Sequence, residues 1–156
     1  MKKIELTQGK FAQVDDTDYD FLNQWNWYAH LSRNRNFYAA RRDYKKGMRE
    51  IWWMHRFIIN PAGNNQVDHI NGNGFDNRRI NLRECTHSQN MSNRKSCGRS
   101  RYLGVSFDRK KYKASIGKNG IIYHLGLFDT EIEAAIAYNN SALKFHGEFA
   151  NLNRIA

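Results

Sequence analysis

Between Glu50 and Arg94 the chain is rich in Asn, Gly and His, residues that suit turns and ligand sites but bury little apolar surface. A stretch of this kind in the middle of 156 residues argues against one core running unbroken from end to end. The sequence changes character on either side of it. Three short units are therefore expected: a strand-rich N-terminal unit over 1–49, a central unit over 50–95, and a C-terminal unit over 101–156 after a linker at 96–100. The expected class is α+β, a small modular protein.

Local patterns place the elements. Lys3 to Leu6 and Phe11 to Val14 read as strands separated by Gln8-Gly9. A helix over Asp18 to Trp25 is predicted, with Phe21, Leu22 and Trp25 at helical spacing and Thr17 as its cap. Trp27 to Leu31 and Phe37 to Arg42 follow as strands. In the middle, Gln66 to Ile70 and Asn81 to Cys85 read as a hairpin around Asn71-Gly72-Asn73-Gly74. Thr86 and Gln89 have capping-box spacing, which starts a helix over His87 to Arg94 with Asn90 inside it.

The formal net charge is +10, and it is concentrated. From Arg94 to Lys118 nine basic residues stand against one acid, Asp108. Such a balance favours a polyanion, because each phosphate neutralised by Lys or Arg releases condensed counterions. Double-stranded DNA is the expected partner. No apolar run approaches the ~18 residues that spanning a bilayer needs, since the longest candidate, Ile51 to Ile59, contains His55 and Arg56. Mean hydropathy is −0.81, and the N-terminus lacks the apolar core of a secretory signal, so no membrane association and a cytoplasmic location are expected. Cys85 and Cys97 stand 12 apart without paired C-x-x-C partners; free thiols are expected rather than a zinc cage.

The densest chemistry lies in Val67-Asp68-His69-Ile70-Asn71-Gly72-Asn73, in Asp76-Asn77-Arg78-Arg79-Ile80-Asn81-Leu82-Arg83 and in Thr86 to Asn90. A strand ending in Asp68-His69 turns these side chains to opposite sides of the ribbon, so one can bind metal while the other faces a water. A hairpin returning into a helix can bring Asn90 beside Asp68. The order His55-Arg56, Asp68-His69, Asn77, Asn81-Leu82 and Asn90 resembles the HNH homing endonucleases of phages and bacterial introns, over about His55 to Arg94, in the variant whose third letter is Asn.

That resemblance implies a ββα-metal core and hydrolysis of DNA to 5′-phosphate and 3′-hydroxyl ends. It makes Asp68 and Asn90 the metal ligands and His69 the general base. Few protein oxygens suffice for Mg²⁺, which keeps several waters, and Mn²⁺ fits equally; one divalent ion and no organic cofactor are expected. An unperturbed imidazole, with a pKa of ~6.5, is largely neutral at cytosolic pH and suited to the base role. Asn81 is expected to hold the hairpin loop through backbone hydrogen bonds, with Asn77 in support. His55 is either a structural hydrogen-bonding group or a phosphate contact. Arg56, Arg78, Arg94, Lys95 and Arg99 are expected on DNA.

After Ser100, three strand-like pieces alternate basic with apolar residues, and Thr130 with Glu133 caps a helix whose apolar side carries Ile132, Ala135, Ile136, Leu143 and Phe145. Tyr102-x-Gly104-Val105, Leu125-Gly126-x-Phe128-Asp129-Thr130 and Ala134-Ala135-x-Ala137-Tyr138 look like the plant ethylene-response-factor type of DNA-binding domain, also found appended to HNH homing endonucleases. The resemblance implies a three-stranded antiparallel sheet packed on one helix. The outer sheet face, with Lys111, Lys113, Ser115 and His124, would enter the major groove, and Arg101 and Arg109 are expected on DNA. Several positions that read bases in the plant family are Leu103, Ser106 and His124 here, so the lysines are expected mainly to hold phosphates.

Two other readings remain open at this level. A non-catalytic DNA-binding regulator would use the C-terminal unit alone. RNA binding through Trp52 and Trp53 is disfavoured because these residues are expected in the core. The N-terminal unit either extends the DNA footprint through Arg33, Arg35, Arg41 and Arg42 or is purely structural. A monomer is expected.

Overall fold

The computed structural model describes residues 1–33, 35–45, 48–92 and 100–155, which form two compact units, Met1–Thr86 and His87–Ala156. Helices and antiparallel sheets coexist in both, and the class is α+β. Among the described residues no helix is long and apolar enough to cross a membrane.

In the first unit β1 (Lys2–Glu5) and β2 (Phe11–Val14) form a hairpin that turns Ile4, Ala12 and Val14 inward. The helix that follows, α1 (Asp16–Leu22), starts two residues earlier than the Asp18 start read from the pattern. Asp15, not Thr17, stands at its N-cap position, and the Asp15 side chain makes no cap hydrogen bond. Its carboxylate accepts instead from the Arg79 backbone N–H at 2.7 Å, and Asp18 binds the Arg79 guanidinium at 2.7 and 2.8 Å. Long-range ties thus replace local capping.

A three-stranded antiparallel sheet comes next, in the order β3 (Tyr28–Leu31), β4 (Phe37–Lys45), β5 (Met48–Trp53). The third strand has no counterpart in the sequence reading, because it runs directly into α2 (Met54–Ile59) without a turn residue between them. Pairing of Arg41 with Trp52 lays the Arg41 guanidinium over the rings of Trp25 and Trp52, at 4.6 and 5.6 Å from their centroids. Arg41 is therefore part of the packing; a cation over an indole face keeps its attraction when partly desolvated. The short α2 ends where Asn60 takes a left-handed conformation (φ 49°) ahead of Pro61.

A second hairpin, β6 (Gln66–His69) with β7 (Leu82–Cys85), closes the unit. One core joins Ile4, Val14, Leu22 and Trp27 to Met54, Ile58, Val67 and Leu82, so residues on both sides of the boundary expected at 49 and 50 bury against each other. Cys85 is a free, buried thiol, pushed up to about 11 by burial and then by the Asp68 charge; Cys97 lies outside the described residues, as do 96–99 of the expected linker.

The second unit contains α3 (His87–Ser92) and an antiparallel sheet of β8 (Val105–Asp108), β9 (Lys111–Lys118) and β10 (Ile121–Phe128), in the order β10-β9-β8 and backed by α4 (Glu131–His146). The capping box at Thr130 and Glu133 forms, with both reciprocal hydrogen bonds. Of the side expected to be apolar on α4, Ala135 is buried and Phe145 packs against a buried cluster, but Ile132, Ile136 and Leu143 are exposed, and Ala134, Tyr138 and Ala142 face the sheet instead. Small residues win because the helix lies close to the strands. Gly104 (φ 72°) meets the Tyr138 ring there, and Asn153 clasps Leu103 through both backbone groups at 2.6 and 3.0 Å.

A Cβ at Gly104 would collide with the Tyr138 ring and the Ser115 carbonyl in a backbone conformation that L residues avoid. Gly104→Ala is expected to destabilise this unit by about 2–4 kcal/mol in denaturant unfolding, while Gly117→Ala, in open surroundings, changes it by less than about 1 kcal/mol.

Candidate active site

The site is built at the end of β6. Strand alternation puts Val67 and His69 on one face and Asp68 on the other, yet all three are buried because both faces of the hairpin are covered. On the first face His69 lies edge to face against His55 of α2, centroids 4.9 Å apart, and against Tyr38 of β4 at 5.9 Å. Trp53 stacks on His55, centroids 6.2 Å apart. On the second face Asp68 stands directly opposite Arg83 in the register of β6 and β7, and its Oδ2 accepts from Arg83 Nε and Nη2 at 3.0 and 2.8 Å.

The loop 70–81 has its backbone held by its own polar side chains. Asn71 Oδ1 accepts from the Asn73 N–H, and Asn73 Oδ1 from the Phe75 N–H, two consecutive side-chain turns. Asn81 spans the base of the loop: its Oδ1 accepts from the Asn71 N–H at 3.0 Å and its Nδ2 donates to the Asp76 carbonyl at 2.7 Å. From outside, β2 grips the loop through Gln13, whose N–H donates to the Phe75 carbonyl and whose carbonyl accepts from the Asn77 N–H, both at 2.8 Å. Asp76 is buried and takes Arg78 at 2.6 and 2.7 Å; that guanidinium holds its carboxyl below the usual range.

These contacts deliver Asn77, fully buried, to His69: Nε2 lies 3.3 Å from Asn77 Oδ1. Asn77 Nδ2 donates to the Gly74 carbonyl at 3.5 Å, which turns the amide oxygen towards the imidazole and favours the tautomer with the proton on Nε2. Gly74 itself is required, since a Cβ there would strike the Phe37 carbonyl and the Tyr38 ring that flanks His69.

Burial is the largest influence on both imidazoles. It lowers His69 below its ordinary value, against the Asn77 hydrogen bond and the Asp68 and Asp76 charges, which raise it. His55 is pushed down to about 3 by burial, then by His69 and Arg56, and its Nδ1 has no hydrogen-bond partner among the described residues. Two neutral rings can share this space; two cations could not.

The HNH endonuclease family profile matches residues 60–92. A protein of Acanthamoeba polyphaga mimivirus named as an uncharacterised HNH endonuclease is 32% identical over 155 residues, covering 95% of this chain and 77% of that protein. This chain belongs to the HNH endonuclease family. It is a nuclease, and the profile match takes in Asp68, His69, Asn77, Asn81 and Asn90.

The HNH endonuclease brings Asp68, His69, His55, Asn77 and Asn81 together in its first unit, while Asn90 lies on α3 in the second. Arg56 is exposed and donates to the Asn65 carbonyl at 3.2 Å; Arg78 is held by Asp76. Lys113, Ser115 and His124 stand on the sheet of the second unit, Arg109 (φ 57°) in its β8–β9 turn, and Lys111 pairs with Asp129 at 3.0 Å. Arg101 lies over the Tyr102 ring. Arg94, Lys95 and Arg99 lie outside the described residues.

Sequence reasoning gave no role to Arg83, Asp76 or Tyr38. The first was within reach, because hairpin pairing of 66–69 with 82–85 sets Asp68 against Arg83. Tyr38 arrives from a strand thirty residues away and left no local trace.

His55 also predicts a pH dependence. Its folded pKa lies below the unfolded value of ~6.5, so its contribution is present above pH 6.5 and is lost as pH falls towards 3, where the unfolded chain alone takes the proton. Denaturant unfolding should show a loss of about 2 kcal/mol between pH 7 and pH 5 from this residue, and His55→Phe should remove that part of the slope.

Proposed function

We propose that the enzyme is a divalent-metal-dependent DNA endonuclease of the homing or phage type, leaving 5′-phosphate and 3′-hydroxyl ends. The observation that carries the reading is His69: a buried, neutral imidazole with one nitrogen held by Asn77, one residue from a buried carboxylate. In this reading His69 Nδ1 takes the proton from the attacking water. Asn77 fixes the ring and its tautomer, as a hydrogen-bonded orienting group does for a general base.

The donor chemistry fits Mg²⁺ or Mn²⁺. Asp68 and Asn90 offer hard oxygens, and among the described residues no three His, Cys, Asp or Glu side chains cluster into a cage that would suit zinc. When bound, such an ion stabilises charge on the scissile phosphate and on the leaving oxygen. Arg83 orients the Asp68 carboxylate through two hydrogen bonds to Oδ2.

DNA is held by the second unit in this proposal. Its three-stranded sheet with one backing helix is the architecture expected of an ethylene-response-factor type module, and Lys111, Lys113, Ser115 and His124 lie on the sheet face away from Ala114 and Ile116, which are buried under α4. The first 49 residues act as a brace for the loop 70–81, through Gln13, Asp15 and Asp18, rather than as a DNA surface. The protein acts as a monomer.

Supercoiled plasmid and viral genomic DNA incubated with Mg²⁺ or Mn²⁺ should be nicked or cut, EDTA should stop the reaction, and His69→Ala should lower the rate by about 10²–10⁴-fold. Products should be substrates for ligase without phosphorylation. DNA that is bound in a salt-dependent way yet stays intact under all these conditions would favour a DNA-binding regulator instead. Because burial holds His69 below its ordinary pKa, the rise in kcat/KM attributable to it should fall below pH 6.5.

A further inference from the structure

The outer face of the second unit's sheet carries two aliphatic side chains that nothing in the fold requires there. On β10 the inward residues are identified by their contacts: Tyr123 lies 4.9 Å from Phe145 of α4, and Leu125 and Phe128 join the buried clusters. Alternation then turns Ile122 and His124 outward, and the bulge between His124 and Gly126 restores the phase so that Leu127, opposite Lys113, is outward as well. Ile122 is 68% exposed and Leu127 57%. Both sit in a field of polar and basic groups formed by Lys113, Ser115, Ser106 and His124.

We propose that Ile122 and Leu127 read thymine methyl groups in the major groove. The inference rests on the reading of this face as the DNA-contacting surface and adds what it recognises. The argument is one of chemical complementarity. Basic residues on the face and a formal net charge of +10 select a polyanion. Among the groups that a major groove displays, the thymine C5-methyl is the one that protrudes as an apolar group, so an aliphatic side chain brought into the groove finds its best apolar partner at T.

The register also sets a spacing. Ile122 lies opposite Gly117 and Leu127 opposite Lys113, four residues apart on β9. At ~3.3 Å per residue this is ~13 Å, or about four base-pair steps of 3.4 Å. Ser115 and His124 lie between the two aliphatics and Lys113 stands directly opposite Leu127, where they can meet phosphate or acceptor edges. The preferred site is accordingly one with two thymines about four steps apart, on either strand.

The test uses the full chain with His69→Ala and EDTA, so that bound DNA is not cut. Selection from a random-sequence duplex library gives the preferred site. Deoxyuridine is then placed at each enriched thymine in turn, which removes the methyl and leaves every hydrogen-bonding atom. Loss of about fourfold in affinity per methyl at two positions, with Ile122→Ala and Leu127→Ala each insensitive to the substitution at one of them, is the expected result.

Equal affinity for thymine and deoxyuridine sites overturns the inference, while a loss of affinity in Lys113→Ala would leave the DNA-contacting face intact. If Lys113→Ala and Ser115→Ala bind as tightly as the parent, the face itself is misassigned and both readings fall. Sedimentation without DNA supplies the remaining outcome: a self-association abolished by Ile122→Ala would give the two side chains to a second copy of the chain and overturn the inference. All the substituted positions are on the outer face, and thermal melts should remain within a few degrees of the parent.

Discussion

Two imidazoles packed edge to face in the interior, His55 against His69, impose the constraint that the rest of the first unit satisfies. A buried imidazole is tolerated when it is neutral and its N–H finds an acceptor, and an ionised one beside a second would cost several kcal/mol. Neutrality follows from burial under Tyr38 and Trp53. The acceptor is Asn77 Oδ1, and Asn77 is held by a loop whose backbone is tied by Asn71, Asn73 and Asn81 and gripped by Gln13. The Asn-rich sequence that looks so poor for packing is thus the framework that delivers one amide oxygen to one ring.

The same arrangement connects fold to chemistry. For the role proposed for His69, a proton acceptor must be neutral before it acts and must keep its orientation while it does, and the Asn77 contact holds the ring and favours one tautomer. Asp68, one residue before His69, points the other way and is held by Arg83, so the imidazole and the carboxylate are separated by the strand itself rather than by a loop that would need ordering. Family membership makes the protein a nuclease; the contacts support the role proposed for His69.

Much of this was legible in the sequence, and the reasons differ by element. The hairpin, the order of Asp68, His69, Asn77 and Asn81, and the Thr130–Glu133 box are local patterns with strict spacing, and local physics determines them. Thr17 was a misleading cap because Asp15 and Asp18 answer to Arg79, sixty residues on. β5 was hidden because a strand flows into a helix with no turn residue to mark the join. On α4 the apolar period pointed to Ile132, Ala135, Ile136, Leu143 and Phe145, of which Ala135 and Phe145 pack inward, whereas close approach to the sheet at Gly104 selects small residues in place of the other three; helix periodicity locates an apolar stripe only to within part of a turn.

The account depends on His69 being the neutral, Nε2-protonated tautomer. Nitrogen-15 NMR of the imidazoles at pH 7, with assignment of His69 by its loss in His69→Ala, reads this directly. The account predicts a neutral ring with the proton on Nε2 and an unprotonated Nδ1, and a shift to mixed tautomers in Asn77→Ala. An imidazolium at pH 7, or a proton resident on Nδ1, would contradict it.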